Sequence, residues 1–411
     1  MPDSKYNPPA QPADDYDGPP DYRLVGRHAV FPAVSHDEAE RFNFLAQMNR
    51  HLAANVMPGV RDAFDHRVSP QAERDNESFR TRHDVRKALI KDPAFQTWSA
   101  LRRATMEQRQ QAGRWCVLRQ ADRLNDEARA LTDDDDRLEL AGGFVQPRYL
   151  SAVDHHCMPG SYHTEIEAGD VTGAANYDVG IFATTGGMLG RYTDGGGHAV
   201  VDWVRKNLTD FKPKRILDLG CALGHNVLPI AEAFPEAEII AIDAGGPMLR
   251  YGLARAKSLG IQNVTWVQAD AENLSRFEDE SFDWIQTTMF LHETSGKAMQ
   301  RIFAETRRLL KPGGIVMHVE QPQYAADMPL YEQAMRDWDA FYNNEPFWTT
   351  MHELDMDGMM QRAGFAADTL IHGGVAAVVD TTLFPSPEDD DVEDFGRKAA
   401  WEVIGARKEM A

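Results

Sequence analysis

The chain has 411 residues, 43% of them hydrophobic, and a formal net charge of −21. That length accommodates two or three domains with substantial cores. No run of 18 apolar residues is present to span a membrane, the three cysteines suit neither a disulfide framework nor a paired-cysteine metal site, and the acidity works against neutralising nucleic-acid phosphates.

The charge is uneven: residues 1–150 carry 22 Lys and Arg against 24 Asp and Glu, and residues 151–411 carry 21 against 40. The N-terminus is rich in proline and aspartate rather than basic and then apolar, so no signal peptide is expected and a reducing cytoplasm is the expected location. Residues 1–34 lack periodicity and predict a flexible tail. Ser35-His36-Asp37-Glu38 is a capping box. Phe42, Leu45, Leu52 and Val56 then recur at helical spacing as far as Pro58-Gly59. Helical patterns over 77–91, 94–111 and 114–131 complete an N-terminal helical domain, residues 35–136. It suits a lid, a homodimer interface or a purely structural cap.

Residues 137–197 read as a loop-rich connector that contributes to a substrate pocket. They include His155, His156, His163 and Glu165, then the Gly/Thr-rich stretch 184–191 and Asp194-Gly195-Gly196-Gly197. The histidines suit substrate recognition, with His163 also a possible base. An ordinary polar loop is the alternative, and without His-x-His spacing or a helical frame no metal is expected.

From residue 198 the pattern is regular. A helix over 198–208 precedes apolar strands at 216–219, 238–243, 264–268, 282–288 and 314–320, with helical pattern after the first, second and fourth. Such alternation predicts a parallel sheet with helices on both faces. Helices over 329–342 and 350–363, strands at 368–371 and 375–382, an acidic loop at 385–394 and a closing helix over 391–408 follow. Trp203, Trp266 and Trp284 fall inside elements and read as core.

Ligands bind at the carboxyl ends of the strands in such sheets. The first strand ends in Gly220-Cys221-Ala222-Leu223-Gly224, a turn that lets a ligand approach the backbone, followed by the helix that starts near Asn226. The second ends in Asp243, an acid placed to grip two vicinal ribose hydroxyls. The third offers Asp270-Ala271 for an adenine edge, and the fourth Thr287 through Glu293.

Together Ile216 to Gly224, Ile240-Ala-Ile-Asp243, Gln268-Ala-Asp-Ala271, Phe282 to His292 and Leu309-Leu-Lys-Pro-Gly-Gly-Ile315 resemble a class I S-adenosylmethionine-dependent methyltransferase of the ubiquinone/menaquinone-biosynthesis-like small-molecule branch. The resemblance covers residues 198–380 of an expected methyltransferase domain, 198–411. It implies a Rossmann-like, seven-stranded, mostly parallel α/β sheet of order 3-2-1-4-5-7-6. S-adenosyl-L-methionine would be the cofactor and S-adenosyl-L-homocysteine the product. Asp218, Gly220 and Gly224 would surround the methionyl part, Asp243 would hold the ribose hydroxyls, Met248, Asp270 and Ala271 would flank the adenine, and Cys221, Asn226, Ala244 and Thr287 would also contact the cofactor. The turn departs from the branch at Cys221-Ala222-Leu223, where a further glycine is common.

Methyl transfer needs positioning, desolvation and at most one base. His292, with Glu293 beside it, is the candidate base; capping of the loop is its alternative role. His318 and Glu320 share a face at the end of the fifth strand and are candidate substrate contacts, as are Tyr342 and Asn343. The expected acceptor is a small metabolite, methylated on O, N, S or C. Non-methylating chemistry on the same cofactor, or methylation of a protein, is the alternative.

Overall fold

The computed structural model describes residues 20–384 and 400–410. One sheet organises it: β1 (Leu138–Glu139), β2 (Arg215–Leu219), β3 (Glu238–Asp243), β4 (Val264–Gln268), β5 (Phe282–Thr288), β6 (Leu310–Glu320), β7 (Leu370–Ala376) and β8 (Ala400–Arg407). Their order is β1-β4-β3-β2-β5-β6-β8-β7. Pairing is parallel from β1 to β6, and β8 runs antiparallel to both β6 and β7. Without the two-residue edge strand β1, this is the expected seven-stranded order. β1 comes from the connector and lengthens the sheet beside β4.

Alternation along the strands sends successive side chains to opposite faces. Ile216, Ile239, Ala241, Trp266, Trp284 and Ile315 pack on one face with helices Gly195–Asn207 and Val227–Ala233. Leu217, Leu219, Ile240, Ile242, Ile285 and Val316 pack on the other with helix Gly296–Leu309. Both layers are covered, which is why these strands read as continuous apolar runs.

Four segments differ from the sequence reading. Residues 20–34 are no tail: Tyr22, Leu24, Val30 and Phe31 are buried, and Tyr22 stacks on Phe42 with ring centroids 4.6 Å apart. Their irregular spacing hides this, because the segment packs as a strap whose one regular piece is the 3-10 turn Tyr22–Leu24. The Gly/Thr-rich part of the connector begins in a helix, Thr172–Thr185. Its small residues, Ala174, Ala175 and Gly180, let neighbouring helices come close. The strand candidates 368–371 and 375–382 become one strand, β7, continuous through Gly373-Gly374. The closing helix expected to reach residue 408 is instead β8, whose Val403, Ile404 and Ala406 are buried between β6 and β7. The acidic loop and the start of that expected helix lie outside the described residues.

The N-terminal helices spend their apolar faces inside the chain. Leu52, Val60, Val85, Leu89, Phe95 and Trp98 pack against Tyr331, Met335 and Trp338, from the helical segment that follows β6. Two buried ion pairs reinforce this contact: Arg82 to Asp337 at 2.6 Å and Arg102 to Asp339 at 3.2 Å.

Candidate active site

The turn after β2 alternates into left-handed backbone at Gly220 (φ 72°), Ala222 (φ 45°) and Gly224 (φ 86°). A Cβ on Gly220 would overlap the Phe290 ring, and one on Gly224 would stand 2.6 Å from Trp266. Glycine is therefore required at both positions, whereas Ala222 accepts the strain. The Ala222 N–H donates to Asp243 Oδ2 at 2.9 Å, and the Gly245 N–H donates to Asp243 Oδ1 at 2.7 Å. Asp243 thus pins the first turn to the second. Burial pushes its carboxyl up to about 6, against those two N–H donors.

A cavity of about 130 Å³ opens over this turn, lined by Gly220, Cys221, Ala222, Asn226, Asp243, Ala244, Ala269, Ala271, Thr288 and Phe290, with Tyr149, Leu150, Tyr162 and Tyr177 opposite. A second cavity, about 190 Å³, adjoins it and shares Tyr162, Tyr177, Met289 and Glu293. Its walls come from six places: Arg109 of the N-terminal helices, His156 of the connector, Ile181 and Thr184 of helix Thr172–Thr185, His292 and Glu293 of the turn after β5, Asn343 and Trp348 after β6, and Trp401 of β8. Met289, between the two cavities, is itself left-handed (φ 54°).

Where the cavities meet, titratable groups concentrate. The His292 ring is held through Nδ1 by Glu320 Oε2 at 2.8 Å. His156 reaches Glu345 Oε1 through Nδ1 at 2.6 Å and Glu293 Oε1 through Nε2 at 3.1 Å. Tyr162 donates its hydroxyl to Glu293 Oε1 at 3.0 Å. Burial opposes the charged form of His292, but Glu320 outweighs it and holds the imidazole up to about 9. For His156, burial is likewise overcome by Glu345 and Glu293, to about 10. Burial would raise Glu293, but the three surrounding histidines hold it well below the usual carboxylate range.

The residues singled out from sequence divide clearly. Gly220, Cys221, Asn226, Asp243, Ala244 and Ala271 line the first cavity, His156, His292 and Asn343 the second, and Glu293 both. His155 is fully buried behind them, its Nε2 3.3 Å from Glu293 Oε2. Asp218 lies beneath the turn, accepting from Gln286 Nε2 at 3.0 Å; Gln286 Nε2 also reaches Thr288 Oγ1 at 2.8 Å. Burial pushes Asp218 up to about 7. Gly224 packs under the turn against Trp266 rather than lining the cavity.

The remaining candidates lie outside both cavities. Met248 belongs to the core beside Leu223 and Tyr251. Asp270 caps its own turn, accepting from the Glu272 N–H at 2.9 Å. Thr287 faces away and pairs with His318 Nδ1 at 2.9 Å, and Thr288 faces the cavity instead. His318 lies too deep along β6: it packs under Phe303, and burial drives it down to about 3. Two residues on, Glu320 reaches His292 rather than the cavity. His163 faces a separate cleft with Glu165 and Arg250. Tyr342 packs against Trp338 beneath Arg86. Tyr149, Tyr177 and Trp401 are not among the residues singled out from sequence, whereas Glu345 lies within the amide- and aromatic-rich run 342–348, a possible pocket wall in the sequence reading.

Residues 216–314 match the family model described as "Methyltransferase domain". The chain is 28% identical over 160 residues to an uncharacterized methyltransferase of Synechocystis sp., covering 39% of this chain and 70% of that one. It is 31% identical over 121 residues to the demethylmenaquinone methyltransferase of Geobacillus kaustophilus, covering 29% of this chain and 50% of the relative. This chain therefore spans about half the length of the demethylmenaquinone methyltransferases it matches. A solved structure of Haemonchus contortus phosphoethanolamine N-methyltransferase 2 with S-adenosyl-L-methionine is similar at 17% identity and a TM-score of 0.41, over 57% of each chain. The strand order, the glycine turn tied to Asp243 and the family match over residues 216–314 together make this part of the chain a class I S-adenosylmethionine-dependent methyltransferase domain, similar to the menaquinone-biosynthesis branch.

Proposed function

We propose that the protein moves the methyl group of S-adenosyl-L-methionine to a nucleophilic atom of a small metabolite held in the second cavity. The observation that carries this reading is the junction of the two cavities at Tyr162, Tyr177, Met289 and Glu293. When bound, the cofactor supplies a methyl group already activated on a sulfonium. The first cavity fits it: the glycine turn leaves room at the backbone, Asp243 presents carboxylate oxygens for ribose hydroxyls, and Ala269 and Ala271 leave a shallow wall suited to an adenine. A pocket bordered by Asp243 and Glu293 also suits a cation better than a pyrophosphate.

In the second cavity, His292 is placed to accept a proton when its ring is neutral, above the value of about 9 at which, despite burial, Glu320 holds it. Glu320 fixes its Nδ1, which leaves Nε2 for the cavity side, 3.9 Å from Glu293 Oε1. Tyr162 and Tyr177 put aromatic ring surface at the junction, and a low-polarity wall strengthens electrostatic contacts beside it. The test is calorimetry with S-adenosyl-L-methionine, followed by metabolite profiling with a deuterated methyl donor. Cofactor binding and one labelled small product are expected. Absence of binding refutes the reading.

A further inference from the structure

The histidines and glutamates at the cavity junction are more than a base and its supports. His156 arrives on a turn of the connector, His292 and Glu293 on the turn after β5, and Glu345 on the loop after Trp338–Tyr342. One ligand-type atom from each lies within 4.8 Å of every other. We propose that His156, His292, Glu293 and Glu345 form a binding site for a first-row divalent transition-metal cation, bordering the acceptor cavity.

The donor set fits that chemistry. Two imidazoles and two carboxylates suit zinc, iron(II) or manganese(II) better than calcium, which takes oxygen ligands alone, or copper(I), which prefers sulfur. Glu345 is fully buried, yet its Oε2 has no hydrogen-bond partner among the described residues. Glu293 Oε2 makes no hydrogen bond among the described residues but has His155 Nε2 3.3 Å away as an ion-pair partner. Buried carboxylate oxygens without partners are rare because they lose hydration and gain nothing in return. A cation would supply Glu345 Oε2 with the partner it lacks. Here the His156 ring, 2.6 Å from Glu345 and 3.1 Å from Glu293, bridges the two carboxylates.

The outer partners follow the pattern of metal-binding histidines. His292 is held by a carboxylate, Glu320, at the nitrogen that would not bind the metal. Glu320 in turn accepts from the backbone N–H groups of Leu291 and Gln321. His156 and the adjacent Cys157 are both left-handed, at φ 53° and 56°. Non-glycine residues hold that conformation only where the surroundings impose it, as functional sites do. The loop carrying Glu345 is braced on the N-terminal helices through Arg102 and Asp339. No metal was expected from the sequence because the four ligands are scattered over three segments, and the histidine cluster visible there contributes only His156.

Because His156, His292 and Glu293 also line the second cavity, an open coordination position would take an oxygen or sulfur atom of the acceptor. That last point alone rests on the methyltransferase reading. With the cation in place, His292 is a ligand and not a base.

The test uses the full-length protein, stripped with a chelator and then titrated separately with zinc(II), manganese(II) and anaerobic iron(II). Metal content is measured by plasma mass spectrometry after desalting, and S-adenosyl-L-methionine binding by calorimetry on the same samples. About one equivalent of one cation is expected, falling by about tenfold or more in Glu345→Gln and His156→Ala. Glu345→Gln keeps the side chain's shape, and circular dichroism checks its fold. Wild-type protein that binds the cofactor but retains none of the three cations overturns the site, as does uptake undiminished in both variants. Metal uptake without cofactor binding supports the site and overturns the methyltransferase reading instead.

Discussion

Glu320 Oε2 lies 2.8 Å from His292 Nδ1 and acts on the active site through that imidazole. The carboxylate lines neither cavity and is fully buried. Its contribution is to fix the ring's orientation and tautomer. Glu320→Gln should therefore lower turnover of the labelled acceptor by about ten- to a hundredfold. The cofactor dissociation constant, measured by calorimetry, should stay as in the wild type. A parallel loss of cofactor affinity would show that Glu320 shapes the first cavity as well.

Asp243 should dominate cofactor affinity. Replacing it with alanine removes the charged acceptor and also frees the Ala222 and Gly245 N–H groups. Calorimetry should show binding weakened by about ten- to a hundredfold, as expected for lost hydrogen bonds to a charged group.

The same residue gives a pH signature. Burial lifts the Asp243 carboxyl to about 6 in the free protein. The ionised form is the better acceptor for two hydroxyls, so affinity is full above that value and declines as the pH falls through it. Asp243→Asn should bind weakly with a flat profile between pH 5 and 7, as about one titration unit either side of that value brackets the change.

Arg82 is a stability residue rather than a surface charge. Its guanidinium sits 2.6 Å from Asp337, whose side chain is fully buried and also accepts from the hydroxyls of Tyr324 and Thr349 at 2.7 and 2.9 Å. Arg82→Ala leaves that carboxylate without its counter-charge, a loss of about 3 kcal/mol. Denaturant unfolding should show the lowered midpoint. Arg123→Ala, which breaks an exposed pair with Glu127, should change it by less than about 0.5 kcal/mol.

Acid should loosen the strap at residues 20–34. His28 and His225 each approach Asp178, at 2.9 Å, and Tyr251 donates to the same carboxylate at 2.8 Å. Burial holds both histidines below their usual value, with Arg255 adding to the effect. Asp178 is held well below the carboxylate range because His225 and His28 outweigh its burial. In each case the unfolded state binds the extra proton first. The stability contributed is present above pH about 6.5 and is lost as the pH falls below it, first through the histidines. Thermal midpoints should drop between pH 7 and 5, and the drop should shrink in His28→Phe.

The sheet was legible because its signals are local. Ile216 to Leu219 and Ile239 to Ile242 are apolar runs that end in glycine or acid, and neighbouring residues alone determine such patterns. His292 and Glu293 were legible by the same logic, since they follow the end of β5. Glu345, Tyr162 and Tyr177 were not, because each reaches the cavities through packing of segments far apart in the chain. Thr287 and Thr288 mark the limit of pattern reading: one residue of register decides which meets the cavity and which meets His318. β8 was read as helix because its acidic approach obscured the alternation of Trp401 and Val403.

The strap carries a consequence for measurement. His28 touches Asp178, and Asp178 holds His225, which lines the cofactor cavity. Coupling between binding free energies is reciprocal. Whatever cofactor occupancy adds to the order of His225 is therefore returned as protection of residues 20–34, about two hundred positions away in sequence. Cleavage or hydrogen exchange at that segment becomes a gauge of how full the first cavity is, readable before any acceptor has been identified.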